Sequence, residues 1–368
     1  MNRMDSFRNE ELIFRAFLSK SIRSKKMKQT QYYQIYSGDG QTIGQRKTKV
    51  PLSDIDESRS TYIADVGLRD AVNVAISLSR PLLVTGEPGT GKTELAFSVA
   101  QELELPKPFV FHTKTTSMAK DLFYEYDALQ HFQDARTSDT RLNRQDYVQY
   151  QALGLAILRA MTIADTRDYP ENVRKLLIPK LISETPSRSV VLIDEIDKAP
   201  RDFPNDLLQE IDTMAFIVRE TGLTHQASRA YQPIVIITSN SEKNLPDAFL
   251  RRCVYYHIEF PDRDRLLRIV ENHLGKLPFI DCALDHFLGI RKEKGLKKPP
   301  ATAECLTWLS ILASMMDNTS LDFKHLKENQ IDAILTSYSI LVKSKADLDL
   351  IKSPLLGQKE HCLAQKRN

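Results

Sequence analysis

The chain has 368 residues, 42% of them hydrophobic and 27% charged, which is enough apolar material for a sizeable core and excludes global disorder, a collagen-like repeat or a disulfide scaffold. Lys+Arg 51 against Asp+Glu 48 leaves a formal charge of +3, too mild to point to nucleic acid or an anionic membrane as the main partner. The length suggests two compact units and a short third region.

Residues 1–60 read as an N-terminal arm, partly disordered: a short apolar run (Leu12, Ile13, Phe14, Phe17, Leu18) precedes the basic stretch SKSIRSKKMK. A membrane-surface helix is the alternative, and Met27 offers a later functional start, which would make residues 1–26 an upstream extension. The opening MNRMDSFRNEELIF carries acids where a signal peptide has an apolar core, and no stretch approaches the roughly 18 apolar residues of a membrane span, so the expected location is cytoplasmic.

From about residue 61 the pattern changes. GLRDAVNVAISLSR spaces Leu68, Val72, Val74, Ala75 and Leu78 close to a helical period. Short apolar runs at 82–85, 109–112, 190–193, 234–238 and 255–260 then predict strands, separated by helical patterns such as KTELAFSVAQEL and PNDLLQEIDTM. That alternation predicts an α/β fold with a parallel sheet covered by helices on both faces, over 61–262. The stretch from about 114 to 184 is long for a connection and is expected to hold inserted helices. Residues 263–345 read as a small all-α unit and 346–368 as a flexible basic tail. Cys253, Cys282, Cys305 and Cys362 stand far apart without a C-x-x-C pair, so neither a zinc cage nor a redox motif is written here and reduced, mostly buried thiols are expected.

The strongest motif is PLLVTGEPGTGKT, a G-x-x-x-x-G-K-[ST] pattern after a strand and before a helix. Gly86, Glu87, Pro88, Gly89, Thr90 and Gly91 are expected to form a loop whose N–H groups face phosphate oxygens, with Lys92 reaching the outer phosphates and Thr93 coordinating Mg²⁺. SVVLIDEIDKAP ends an apolar strand in two carboxylates: Asp194 is placed to hold the Mg²⁺ water shell, and Glu195 to polarise an attacking water. Alone, such an acidic pair is as readily a solvated turn; the phosphate loop gives it its meaning. PIVIITSN ends in Asn240, a water-orienting or γ-phosphate-sensing side chain or else a plain turn residue. Further on, FLRRC presents Arg251 and Arg252, either an arginine placed in trans on a neighbour's phosphate or surface arginines at a helix end.

This order of motifs resembles the AAA+ ATPases, and within them the MoxR family, over roughly residues 60–315. The most specific pieces are GEPGTGKT, DLFYEYDAL, VVLIDEIDKAPRDFPNDLLQEI and ITSNSEKNLPDAFLRRC. The resemblance implies a P-loop NTPase core followed by an α-helical lid, with the region after Lys114 as the family's helix-2 insert. It makes Gly86 to Thr93 Walker A, Asp194 and Glu195 Walker B, Asn240 sensor 1, and Arg252, with Arg251 beside it, the arginine finger. It implies a chaperone-like ATPase that uses ATP and Mg²⁺, works as a hexameric ring, and acts on a protein client, often one carrying a von Willebrand factor A domain. Where many relatives carry a sensor 2 arginine at the start of a lid helix, this chain reads LKKPPATAECLTWL, so Lys298 or Lys297 supplies the charge or both lie in a solvated basic loop.

Two other functions fit less of the sequence. A nucleotide-gated binding module with little turnover has no need of a water-activating carboxylate such as Glu195. A DNA-acting ATPase is supported only by local basic stretches such as RKEKGLKK, without a helix-turn-helix or an aromatic nucleic-acid platform. The guanine-reading N-K-x-D signature is missing, which argues against a GTPase. The span TTSMAKDLFYEYDALQHF carries more aromatic surface than a connection needs, and Tyr124 and Tyr126 are expected to face a protein partner, with core filling as the alternative and some of the aromatics packed inward to hold the insert on the sheet.

Overall fold

The computed structural model describes residues 62–137, 142–178, 180–240, 245–315, 323 and 326–365. The expected arm at 1–60 lies outside them. The first helix among the described residues, α1 (Val66–Leu78), starts at Asp65, whose carboxylate accepts from Leu68 N at 2.8 Å. It buries Leu68, Val72, Ala75 and Ile76 and stops at Ser79, a left-handed residue with φ 51°. Strand β1 (Leu82–Gly86) is buried at every position, as a central parallel strand must be, and leads through the phosphate loop into α2 (Lys92–Glu102). Strand β2 (Phe109–His112) follows.

The region after Lys114 holds inserted helices, as expected, and a strand pair as well. A two-stranded antiparallel pair, β3 (Tyr124–Tyr126) and β4 (Val148–Tyr150), encloses α3 (Ala128–Thr137); α4 (Ala152–Ala160) and α5 (Glu171–Leu177) come after. Next come β5 (Val190–Asp194), the short helices α6 (Phe203–Asp206) and α7 (Leu208–Thr213), the hairpin β6 (Ala215–Val218) and β7 (Leu223–Gln226), then β8 (Ile234–Ser239), α8 (Asp247–Leu250) and β9 (Val254–Ile258).

Among the described residues the main sheet has five strands in the order β2-β5-β8-β1-β9, with every pair parallel. Period-two alternation splits its side chains between two cores. Leu82, Val84, Val190, Leu192, Ile234 and Ile236 pack with Leu68 and Val72 of α1 and Leu95 and Val99 of α2. Leu83, Val191, Ile193, Val235 and Ile237 pack on the other face with Leu153 and Ile157 of α4, Phe203, Leu207 and Phe249. The register pairs Thr85 with Ser239 and His112 with Asp194, so the carboxyl ends of β1, β5 and β8 open side by side. In an open α/β sheet this is where a ligand site forms.

The insert is fixed to the sheet by packing, which corrects the expectation for Tyr124. That side chain is 3% exposed, its ring lies against Phe216, and its hydroxyl accepts from Arg219 N at 3.1 Å: it is core. Tyr126 is half-buried with its hydroxyl on His131 Nδ1 at 2.8 Å, whereas Leu129 and Phe132 on α3 are 68% and 59% exposed. His225 is buried between the hydroxyls of Tyr150 and Tyr169, each at 2.9 Å, and burial lowers its pKa to about 4, so the neutral ring pins the hairpin to the insert.

A close approach sets α4 on β3. A Cβ built on Gly154 would lie 2.0 Å from the carbonyl oxygen of Phe123, a backbone atom that also accepts from Gln151 N at 2.9 Å. Gly154→Ala is therefore expected to cost about 3 kcal/mol, the upper range for overpacking, seen as a lower urea midpoint. An unchanged midpoint would show that α4 can slide off the carbonyl freely.

After the sheet the chain is helical: α9 (Arg263–Leu274), α10 (Ile280–Arg291), α11 (Thr302–Met315), α12 (Glu328–Leu341) and α13 (Lys345–Gln365). They share a core built on Phe279, Phe287, Trp308 and Tyr338, with Trp308 Nε1 donating to Ser337 Oγ at 2.8 Å. The flexible tail expected at 346–368 is corrected over 346–365 by α13, which buries Ile351 and Leu355 in this core and has Leu348 packed against it; 366–368 lie outside the described residues. Among the described residues no helix is long and apolar enough to cross a membrane.

Candidate functional site

The phosphate loop owes its shape to glycine. Gly91 has φ 86° and caps α2 without any side-chain hydrogen bond, which leaves the first-turn N–H groups of that helix open to an anion. Gly89, at φ 78°, lies so close to α11 that an added Cβ would meet the Ala301 Cβ at 2.9 Å. Lys92 is 7% exposed and bends back over the loop, donating to the carbonyls of Gly86 at 2.8 Å and Glu87 at 2.9 Å. Burial lowers its pKa, against the pull of Asp197, Asp194, Glu195 and Glu87. Thr90 Oγ1 also donates to the Glu87 carbonyl, at 2.8 Å.

Opposite the loop, Asp194 is 8% exposed at the end of β5. Its Oδ1 accepts from Thr93 Oγ1 at 3.0 Å and from Thr238 Oγ1 at 2.7 Å, and its Oδ2 lies 3.4 Å from His112 Nδ1. Glu195 then leaves the strand in a left-handed conformation, φ 56°, which a β-substituted residue adopts only at a cost. Its N–H donates to Thr238 Oγ1 at 2.8 Å, so one threonine hydroxyl orders both carboxylate residues. The Glu195 carboxylate accepts from Asn240 Nδ2 at 3.3 Å and pairs with Lys198. Asn240 is held in turn by its N–H on Asp197 Oδ1, 3.0 Å, and Ser239 Oγ donates to the same oxygen at 3.1 Å. Thr238 and Asp197 were not singled out in the sequence; their signal was only their place beside the motif residues.

These groups line a cavity of about 480 Å³, within the range of small-molecule sites. Its polar end is the loop with Asp194, Glu195, Thr238 and Asn240; the other end is mostly apolar, formed by Tyr62, Ile63, Ile258, Ile269 and Leu306. Arg265 and His273 of α9 and Thr302 and Ala303 of α11 complete the wall. Arg265 pairs with Asp65 at 2.9 Å. Burial opposes ionisation of Asp65, yet the bonds it accepts from Tyr256 and Leu68 N, with the Arg265 charge, hold it below the usual carboxylate range.

Lys298, expected among the nucleotide-binding residues, is exposed and does not line the cavity; neighbouring Lys297, also exposed, gives its backbone N–H to Asp347 at 3.1 Å. The prolines that follow take the chain into α11 with Ala301, Ala303 and Glu304 nearest Gly89 of the loop. Arg251 and Arg252 also lie outside this cavity. Arg251 is exposed, and Arg252 donates to Asp212 at 2.7 Å and to the Ala248 carbonyl at 3.1 Å.

Strand order, phosphate loop, acidic strand end and helical C-terminal region together define an AAA+ P-loop NTPase fold. Residues 82–262 match the family model described as "ATPase family associated with various cellular activities (AAA)", a segment that contains all of the polar site residues from Gly86 to Asn240. Two solved structures of RuvB from Thermotoga maritima are similar. One, a RuvB variant, has 16% identity and a TM-score of 0.40, with 74% of this chain and 66% of that one covered; the other, titled as a Holliday junction branch migration motor, has 15% identity and a TM-score of 0.41, with 76% and 70% covered. This chain thus spans just under two thirds of the first. No curated protein matches the sequence.

Proposed function

We propose that this chain binds ATP with Mg²⁺ and hydrolyses it, as a MoxR-type AAA+ protein that works as a hexameric ring and remodels a protein partner, in the cytoplasm. The observation that supports turnover most directly is the hydrogen-bonded set Thr93, Asp194, Thr238, Glu195 and Asn240 facing a phosphate loop. The triphosphate lies along the loop, with its outer oxygens taking Lys92 Nζ from the carbonyls it now serves. The base fits the apolar end beside Tyr62, Ile258 and Leu306. Thr93 and Asp194 are hard oxygen donors 3.0 Å apart, a set suited to Mg²⁺, which when bound neutralises charge on the phosphates. Glu195 accepts the proton of the attacking water, and Asn240, on the same carboxylate, orients it.

Ring assembly is proposed because Arg251 and Arg252 lie outside their own chain's cavity, as a residue serving a neighbour's site would. A protein client is proposed, one bearing a von Willebrand factor A domain among the candidates, because α3 has no buried residue and exposes Leu129 and Phe132. The test of the nucleotide reading is binding of a fluorescent ATP analogue with Mg²⁺. Wild type is expected to bind and hydrolyse, and Lys92→Ala to lose affinity by about 100-fold, as when a charge-assisted contact is removed from a buried phosphate site. Equal affinity in the two proteins would overturn the assignment of the cavity.

A further inference from the structure

We propose that Arg291 is a positioning residue that couples the helical region to the phosphate loop through Glu87, so that the lid responds to bound phosphate by way of a loop carboxylate. The proposal rests on reading the cavity as a nucleotide site. Arg291 is the last residue of α10, and its side chain is 13% exposed. Its guanidinium lies over the Phe260 ring, 3.6 Å from the centroid. One amino group donates to the Pro300 carbonyl at 2.7 Å and the other to Glu87 Oε2 at 2.6 Å. A single planar group therefore joins the loop, the chain leaving the sheet and the segment that enters α11.

Each end of this tether leads to the cavity. Pro300 precedes Ala301, which stands against Gly89, and Thr302, which is 8% exposed, lines the cavity and has a buried Oγ1 without a hydrogen-bond partner. At the other end, the Glu87 carbonyl accepts from Lys92 Nζ and Thr90 Oγ1 while its carboxylate holds Arg291. When Lys92 turns to phosphate, the Glu87 backbone loses a donor, and the resulting shift is passed through the carboxylate to Arg291 and the start of α11. This contiguous route needs no lysine from 297 or 298.

The experiment compares wild type with Glu87→Gln, Arg291→Ala and the double variant in the full chain. It measures binding of mant-ATP and mant-ADP, and hydrogen exchange at residues 300–306 with and without ATP. Each single variant is expected to weaken mant-ATP binding about fivefold, the scale of a partly exposed ion pair, and to remove the protection that ATP gives to 300–306. The double variant is expected to be no weaker than either single one, because both remove the same link. Glu87 is 52% exposed, so Glu87→Gln keeps the test valid if Arg291→Ala fails to fold. Singles that bind mant-ATP as wild type and keep the ATP-dependent protection, even with lower melting temperatures, make the pair a structural bridge only and overturn the proposal. So do losses that multiply in the double variant. If wild type does not bind mant-ATP at all, the nucleotide reading falls and takes this one with it; normal wild-type binding abolished by Lys92→Ala leaves a failure attributable to the tether alone.

Discussion

Glu195→Gln is expected to bind ATP with near-wild-type affinity and to hydrolyse it about 10³-fold more slowly, within the range lost when a general base is removed. Its position supports so sharp a split. Its backbone is fixed by Thr238, and its carboxylate is shared between Asn240 and Lys198. An amide of the same size still accepts from Asn240 Nδ2, so the orientation of that side chain survives. What disappears is the basic oxygen and the ion pair with Lys198, whose pKa is raised first of all by its hydrogen bond to Glu195. Single-turnover hydrolysis and equilibrium binding measure the two halves separately. Hydrolysis within threefold of wild type would remove Glu195 from the reaction. The same stalled protein tests the remodelling proposal: in ATP it should retain a partner protein that wild type releases, and retention of DNA instead would favour the nucleic-acid alternative.

The central strands were legible because parallel strands buried on both faces leave continuous apolar runs; 190–193 and 234–238 became Val190–Asp194 and Ile234–Ser239. The phosphate loop was legible because glycines at Gly89 and Gly91 serve a backbone need, φ 78° and 86°, that few other residues meet. Other elements left weaker traces. Strands β3 and β4 are three residues each, too short for an alternation to register. Helix α13 contains Pro354, and its apolar residues Leu348, Ile351 and Leu355 are diluted by charge, so the stretch carries no clear helical pattern although the C-terminal helical core uses them. Tyr124 read as surface because an aromatic run looks the same whether it faces a partner or the sheet. Arg291 left no motif at all: it meets Glu87 only through the fold, 204 positions away.

Arg252→Ala is expected to lower kcat about 10³-fold with nucleotide affinity nearly unchanged, the effect of removing an arginine supplied in trans to transition-state charge. Loss of fold is not a competing explanation. The pair that Arg252 makes with Asp212 is 41% and 47% exposed, and pairs of that kind contribute about 0.2–1 kcal/mol at most, so the melting temperature should barely move. Asp212→Asn removes the same pair while keeping the arginine, and it should retain turnover; a parallel loss in Asp212→Asn would mean that the pair shapes the α7–α8 surface and that Arg252 does not act on phosphate. Mixing supplies the decisive measurement. Lys92→Ala chains have an intact arginine and a site with much weakened nucleotide affinity, whereas Arg252→Ala chains have an intact site and no arginine. In mixed assemblies the first can serve the second, so activity should rise well above the sum of the separate proteins. Confirmed co-assembly without that rise would show that Arg252 acts within its own chain, or only as the partner of Asp212, and would remove the main structural support for a shared site between subunits.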